Sequence, residues 1–428
     1  MRRTLTVAVL IGIFVAAPGA QSQDSSESTQ IKALIQEVNE LKARIAVLEA
    51  KQAGTPPPVV PVQAATQSGT GMANDDPPSQ TAASGETTPF GFLRGIKLQG
   101  FGSLGYKASD IKVPENSFFG FRPGSMGNFA IGDVDLFVTS TLTQKATVLS
   151  EIVFTETDSQ KFETDIERLL VKYDFNDYFK TSFGRFHTAT SYYNSVFHHG
   201  RWLQTAVDRP LAVEFADDGG LLPTQVIGVS VKGRIPSGKL GLNYVAEYGS
   251  ADTIRPQINQ PGAVEIDENN GNEVTVGLFA KPDWLPGLDV GGSFYNDRLS
   301  PDNQPIHIDQ SIGSAHVVYT TPRFEFLNEG FMIQHKVEGT GQTFNTPAFY
   351  SLISQKFGRK WRPYFRYQYA NASAQSPLFA DVGLRHGPSA GVRFDYNDYL
   401  AFKIQYNRIL RRQLATINDL ALQLAFRF

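Results

Sequence analysis

Hydrophobic and polar positions alternate with a period of two over residues 90–428, in segments of about ten residues separated by turn or loop signals. Alternate side chains of a strand point to opposite faces, so each segment predicts one apolar and one polar face. In one clear example, Trp361 and Phe365 lie on one face of a predicted strand, and Arg362 and Arg366 lie on the other. The pattern predicts an all-β chain in which one face of the sheet meets lipid and the other meets water.

These segments predict a transmembrane antiparallel β-barrel of about 16 strands, an even number as a closed bacterial barrel requires. A soluble β-sandwich also alternates, but its strands are usually five or six residues long. The predicted strands are Ile96–Tyr106, Val134–Leu142, Ala146–Phe154, Glu167–Tyr173, Phe179–Arg185, Val226–Lys232, Leu240–Tyr248, Val274–Ala280, Leu288–Asn296, Ile312–Thr320, Phe324–Gln334, Phe349–Phe357, Trp361–Tyr369, Pro388–Tyr396, Leu400–Arg408 and Leu420–Phe428.

The connections between these segments alternate in length. Residues 174–177 and 397–398 form tight turns, whereas the connections from Tyr106 to Val134 and from His187 to Val226 are long. Short turns at one end and long loops at the other are typical of outer-membrane barrels. A barrel of this size leaves a water-filled lumen unless a loop or another segment fills it.

Three segments precede the barrel. Residues 1–20 combine a basic start, an apolar stretch and small residues, which predicts a cleaved signal peptide. Residues 53–89 are rich in Pro, Ala, Ser and Thr without a hydrophobic period, which predicts a disordered linker.

Between them, residues 30–52 follow a heptad and predict a short coiled coil that assists oligomerisation. Attractive pairs between parallel helices, Glu37 with Lys42 and Arg44 with Glu49, agree with that register. The heptad leaves dimer and trimer open. Its apolar positions are Ile31, Leu34, Val38, Leu41, Ile45 and Leu48.

Composition excludes several classes of protein. The chain has no Cys, so neither a disulfide framework nor a lipoprotein anchor is available. A formal charge of −3 gives no reason to expect a nucleic-acid partner. The barrel region contains no apolar run long enough for a membrane-spanning helix. Residues 100–105 have a dinucleotide-binding glycine spacing, but they lie inside a predicted strand, so we expect these glycines to serve close packing.

The last strand places Leu420, Leu422, Leu424, Phe426 and Phe428 on one face and ends the chain on an aromatic residue. This resembles the carboxyl-terminal signal, here Phe426 and Phe428, by which the β-barrel assembly machinery recognises its substrates. The whole mature chain resembles a bacterial porin with an N-terminal coiled coil, as in the DcaP-type channels and their relatives near the phosphate-selective porins. The resemblance implies a homotrimer in outer-membrane lipid, with the N-terminal segment in the periplasm, that passes small polar solutes by diffusion.

Gly184-Arg185-Phe186 resembles an element that precedes the constriction loop of porins. The resemblance implies that the following connection folds into the lumen, although an external lid is the alternative. Opposed charges there would create a transverse field that screens solutes. The candidates at this connection are Arg185, His187, His198, His199, Arg201 and Arg209 on one side and Glu214, Asp217 and Asp218 on the other. No Lys- or Arg-rich ladder of the phosphate-selective kind is present on this loop.

Inward positions on later strands add further candidates, namely Arg362, Arg366, Arg393 and Lys403. A basic stripe along the lumen would favour anionic solutes. The alternative is that lumen charges neutralise each other, as Arg393 and Asp395 would.

The same pattern fits two other functions less well. An outer-membrane hydrolase would need a Ser nucleophile beside His316 or His335, and no Ser motif marks one. A barrel that only anchors a tether or adhesin is the other alternative. Adjacent His198 and His199 lack a third ligand at recognisable spacing, so we expect no metal site. The sequence predicts a porin without cofactor or enzymatic activity.

Overall fold

The computed structural model describes residues 95–111, 127–156, 162–197, 200–215, 219–251, 272–300, 307–412 and 414–428. Sixteen strands within these ranges form a closed barrel in which every neighbouring pair is antiparallel and β1 pairs with β16. The predicted fold class is therefore confirmed. The signal peptide, the coiled coil and the linker, predicted over residues 1–89, lie outside the described residues.

The strands run in chain order around the barrel, so each pairs with its neighbours in sequence. Their bounds are β1 Ile96–Ser109, β2 Gly127–Thr141, β3 Ala146–Glu156, β4 Phe162–Asn176, β5 Phe179–His187, β6 Gln225–Arg234, β7 Leu242–Ala251, β8 Glu273–Ala280, β9 Leu288–Leu299, β10 Ile308–Thr320, β11 Phe324–Val337, β12 Thr343–Gln355, β13 Trp361–Asn371, β14 Leu384–Asp395, β15 Leu400–Arg411 and β16 Ile417–Arg427.

Most strands are longer than the sequence predicts. The predicted segment Glu167–Tyr173 is only the middle of β4, and β2 begins at Gly127 rather than Val134. The alternation is interrupted by a register shift between β3 and β4 at Glu151 and Ile152. A bulge moves the following side chains to the other face, so a strict period of two ends there although the hydrogen-bonded strand continues.

Large apolar side chains cover the outward face. Leu98, Val276 and Phe294 are each about half exposed or more, at 64%, 48% and 50%. Closure leaves no sheet edge with unpaired main-chain groups, which is the condition for strands to cross lipid. Among the described residues, no helix is both long and apolar enough to span a bilayer.

The barrel closes where its first strand, β1, pairs with its last, β16, and we call this pairing the seam. The main-chain groups of Gly100 and Phe428 exchange two hydrogen bonds of 2.9 Å. The rings of Phe428 and Phe426 cover Gly100 and Gly102, where an added Cβ would lie only 2.2 and 2.6 Å from ring atoms. The expectation that these glycines serve close packing is met at these two positions.

The two ends of the barrel have different connections. At the end that we call the turn end, the strands are joined by residues 142–145, 177–178, 235–241, 281–287, 321–323, 356–360 and 396–399. The opposite end, called the loop end, carries the longer connections, including residues 188–224 between β5 and β6 and residues 372–383 between β13 and β14.

Candidate functional site

The connection 188–224, called the third loop, lies against the inward face of the barrel. It contains the short helix α1, Tyr192–Val196, and a single 3-10 turn, Leu211–Val213. Val213, Leu221 and Leu222 have no exposed surface. Its hydrogen bonds reach inward side chains of β7, β11, β13 and β15, so the loop is bound on several sides of the wall.

Glu329 on β11 binds the start of α1. Its carboxylate accepts hydrogen bonds from the main-chain N–H groups of Tyr192 at 2.6 Å and Tyr193 at 2.9 Å, and from the Ser191 hydroxyl at 3.1 Å. The hydroxyl of Tyr350 donates to the same carboxylate at 2.7 Å. The first N–H groups of a helix lack partners within the helix, and Glu329 supplies acceptors for two of them.

Glu247 on β7 binds the residues just before α1. It accepts hydrogen bonds from the Thr188 hydroxyl at 2.8 Å and the Ala189 N–H at 2.9 Å. Glu247 and Glu329 are both buried, at 5% and 2% exposed. At these contacts the first half of the third loop donates hydrogen bonds, and the two wall carboxylates accept them.

The second half of the loop both donates to and accepts from the wall. The main-chain N–H groups of Val207 and Leu211 donate to Gln405 and Gln368 at 3.0 and 2.9 Å. Arg366 on β13 donates to the Asp208 carboxylate at 2.5 Å and to the Asp208 main-chain carbonyl at 2.8 Å. Gln405 and Asn407 on β15 donate to the same carboxylate at 2.6 and 3.0 Å. Burial would raise the pKa of Asp208, but the charges of Arg366 and Lys107 and these hydrogen bonds outweigh it and lower the pKa to about 2.

Two further cations of the wall bind main-chain carbonyls of this half. The donor–acceptor pairs are Lys403 with the carbonyls of Arg201 (2.6 Å) and Ala206 (3.0 Å), and Arg393 with those of Trp202 (2.6 Å) and Gln204 (2.9 Å). Arg393 also pairs with Asp395 at 2.7 Å, as the charge-neutralising alternative expects. The sequence thus predicted that these cations point inward, but not that they hold the loop.

Arg209 joins separate parts of the third loop to one another. Its guanidinium donates to the main-chain carbonyls of Val213 at 2.8 Å and Phe197 at 2.7 Å, and to the side chain of Asn194. Glu214 lies beside it, with 4.0 Å between Nε and Oε1. Arg209 and Glu214 are therefore neighbours rather than groups facing each other across an opening, which corrects the expected separation of charge at this pair.

The ends of the adjacent strands hold two other predicted residues. His187 belongs to β5, and its ring contacts Glu167 at 2.9 Å and the main-chain carbonyl of Asn194 at 3.1 Å. Arg185 contacts Asp165 at 3.6 Å and the Gln225 side chain at 2.5 Å.

Arg201 and Arg362 lie apart from each other. Arg201 contacts Asp133 on β2 at 3.5 Å, and Arg362 contacts Glu325 on β11 at 3.9 Å near the turn end. His198, His199, Asp217 and Asp218 lie outside the described residues.

An apolar sector covers the inward face of β10–β12. Ile312, Ile333 and Leu327 are almost fully buried there. Phe379, from the connection between β13 and β14, belongs to the same cluster and contacts the His335 ring, with 4.8 Å between the ring centroids. A second connection thus contributes to the packed interior.

The two histidines considered for a hydrolase lie on adjacent strands but are not register partners. His316 stands opposite Glu329 in the register, whereas His335 stands opposite Gln310. Their polar contacts are with Asp289 at 3.2 Å and Gln310 at 2.8 Å, respectively. Within the described part of the chain, no group of three His, Asp or Glu side chains is arranged to hold a metal ion.

Sequence reasoning missed Glu247, Glu329, Asp208 and Gln405 as site residues. The parity of the predicted strands already places Glu247 and Glu329 on the polar face. A charged residue at an inward position was therefore an available signal.

A closed antiparallel barrel with a long third connection bound to its inward wall has the fold of the bacterial outer-membrane porins. No family model and no curated protein matches the sequence. The similar solved structures include the anion-selective porin from Comamonas acidovorans (11% identity, TM-score 0.52), covering 78% of this chain and 99% of that one.

Two other porin structures have the same fold. The outer-membrane channel DcaP of Acinetobacter baumannii is 10% identical with a TM-score of 0.51, and OmpF of Salmonella typhi, in complex with daunomycin, is 12% identical with a TM-score of 0.52. Each comparison covers 78% of this chain and 97% of the other. The predicted porin architecture of the barrel is thereby confirmed at the level of fold.

Proposed function

We propose that this protein is an outer-membrane porin that lets small polar solutes diffuse passively through a water-filled barrel narrowed by the third loop. The observation that carries the proposal is the binding of that loop to the inward wall. Carboxylates of β7 and β11 hold its first half, and cations of β13–β15 hold its second half. A loop held in this way fixes the width of the passage.

The wall cations beside the third loop are engaged by the loop. Arg366 is 1% exposed and directed to Asp208, so it is occupied by the protein itself. Lys403 and Arg393 are likewise engaged by loop carbonyls. A preference for anions then depends on the summed field of the lumen and on cations elsewhere in the wall.

The outward surface supports placement in outer-membrane lipid. Apolar side chains line it, and the terminal Phe428 sits on the β1–β16 seam, where the assembly machinery would act. We infer that the turn end faces the periplasm, where the N-terminal coiled coil would lie. The porin fold favours a homotrimer over the dimer that the heptad also permits.

Liposome swelling tests this function directly. Vesicles containing the full-length protein should swell in isotonic glycine or arabinose, and the rate should fall as the solute grows to a trisaccharide. Matched vesicles without protein provide the baseline. Swelling that is absent for every small polar solute would contradict diffusion and leave the tether or the hydrolase reading.

A further inference from the structure

One part of the third loop, residues 200–208, lies across the inside of the seam, and we call it the seam segment. On one side of the seam its contacts include those already described, with Arg366 on β13, Arg393 on β14 and Lys403 on β15. Its other contacts reach β16 itself and, past the seam, β1 and β2. A single short stretch of chain therefore touches all the strands around the point where the barrel closes.

Trp202 makes the main contact with β16. Its side chain is 7% exposed and packs on two guanidinium groups. The Cζ atoms of Arg393 on β14 and Arg427 on β16 lie 4.9 and 5.6 Å from the centroid of its ring. Gln423, also on β16, donates a hydrogen bond of 3.4 Å to the main-chain carbonyl of Val207. Cation–π contacts are strongest where the groups are desolvated, so Trp202 attaches the seam segment to the last strand.

Gly200 and Arg201 make the contacts on the other side of the seam. A Cβ at Gly200 would lie 3.2 Å from the ring of Phe101 on β1, so the glycine main chain packs directly against that ring. Arg201 contacts Asp133 on β2 at 3.5 Å, and the two side chains are only 16% and 12% exposed. Phe101 and Trp202 belong to the same buried apolar cluster. The seam segment thus packs against both of the strands that close the barrel.

The seam is the pairing that most needs such support. β1 and β16 stand at opposite ends of the barrel sequence, so their pairing closes the longest loop of chain and carries the largest cost in conformational entropy. Their register partners run only from Phe101 to Ser109 on β1, whereas β10 and β11 pair from Ile308 to Thr320. Unpaired, both strands would present open edges, which lipid does not tolerate. Contacts that join the two strands from inside oppose their separation.

We propose that the seam segment has a second function besides narrowing the passage: it holds the barrel closed by joining β14–β16 to β1 and β2 from inside. This function goes beyond diffusion and does not depend on it, because the contacts form whether or not solutes pass. One consequence is that this part of the third loop cannot move as a gate without loosening the seam.

Engineered disulfides test the proposal, because the chain has no Cys and only the introduced pair can form. Leu104→Cys with Leu424→Cys joins register partners across the seam. Ala315→Cys with Gly330→Cys joins register partners of β10 and β11 and is the control bridge. Such partners lie within the Cα separation that a disulfide spans. Each substitution is made in the full-length parent and in both bridged proteins, and the heat-induced mobility shift on a gel gives the unfolding midpoint.

Trp202→Ala should lower the midpoint of the parent by about 5–10 °C, since it removes a buried aromatic ring. In the protein bridged at the seam the same substitution should cost less than about half as much, because strands that are covalently joined no longer depend on the segment. The control bridge should leave the full loss. Tyr192→Ala is the matched control, because this buried ring of the third loop packs on His316 of β10, and the seam bridge should not reduce its effect.

Arg201→Gln repeats the test with a smaller substitution at the β2 contact, and it decides the result if Trp202→Ala does not fold in any background. A Trp202→Ala protein that folds only when the seam is bridged would support the proposal. An equal loss of midpoint in the parent and in the protein bridged at the seam would overturn it. A seam bridge that reduces the effects of Tyr192→Ala and Trp202→Ala by the same fraction would overturn it as well, since the bridge would then stabilise the barrel in general.

Discussion

The carboxylate of Glu329 accepts a 2.6 Å hydrogen bond from the main-chain N–H of Tyr192, a residue 137 positions earlier in the chain. This contact joins the third loop to β11. On the other side of the same loop, Arg366 on β13 binds Asp208. Wall glutamates accept hydrogen bonds from the first half of the loop, and wall cations donate to its second half, so two chemically different sets of wall residues fix its position.

Glu329→Gln should loosen the first half of the third loop. The amide provides one acceptor oxygen where the carboxylate provides two, so part of the hydrogen bonding from Ser191, Tyr192 and Tyr193 is lost. We expect a loss of about 1–3 kcal/mol at this buried site, read as a lower unfolding temperature, together with noisier open-channel current. Glu338→Gln, at an exposed carboxylate that pairs with Arg298, is the control. Equal behaviour of the two variants would contradict the role of Glu329.

Protonation of Asp208 should loosen the second half of the third loop only well below neutral pH. The pKa of Asp208 is about 2 in the folded protein against a reference value of 3.8, so its charged form stabilises the fold by about 2 kcal/mol above pH 4. This contribution is lost as the pH falls from about 4 to about 2. Wild-type conductance should hold steady down to about pH 4 and change below it.

Asp208→Asn serves as the comparison in the same titration. The amide carries no charge at any pH, so the variant should lack the transition that belongs to Asp208. Its current at neutral pH should already resemble that of the acidified wild type. A transition of the same size and midpoint in both proteins would assign the acid response to another group.

Gly100→Val should impair barrel closure. A Cβ at Gly100 would lie 2.2 Å from the Phe428 ring, and overpacking of this kind costs about 1–3 kcal/mol. The expected result is a lower temperature for the heat-induced mobility shift on a gel, and a smaller folded fraction. Gly313→Val tests the same substitution where an added Cβ meets nothing within 4 Å, and should behave as the wild type. Equal losses in both variants would contradict the role of the seam.

Removal of residues 30–52 should weaken the oligomer without unfolding the barrel. A coiled coil of fewer than three heptads is marginal by itself, so the main contacts between protomers must lie elsewhere. We expect the proposed trimer of the shortened protein to persist at high protein concentration and to dissociate on dilution sooner than that of the full-length protein, measured by cross-linking in detergent. Unchanged dissociation would exclude a role of the heptad in assembly.

The strand pattern was predictable because one face of each strand meets lipid along its whole membrane crossing. Ile404 and Phe402 therefore alternate with Lys403 and Gln405 without interruption. Strand ends were not predictable, since β4 extends past a bulge and into polar surroundings where the alternation no longer marks the face.

The role of the inward charges was not available from local sequence. Arg366, Arg393 and Lys403 occupy inward parity, as predicted, yet their partners in the third loop lie 158 or more positions away along the chain. Periodicity assigns a residue to a face but says nothing about which segment covers that face. The same limit hid the contact between Glu329 and the main-chain N–H of Tyr192.

Single-channel recording of the purified full-length protein in planar bilayers tests the central claim most directly. We predict stepwise current increases in multiples of three, with long-lived openings and steady current in the wild type at neutral pH. Protein that is folded by its heat-induced mobility shift, yet inserts without producing any conductance, would contradict the claim that the barrel is a diffusion channel.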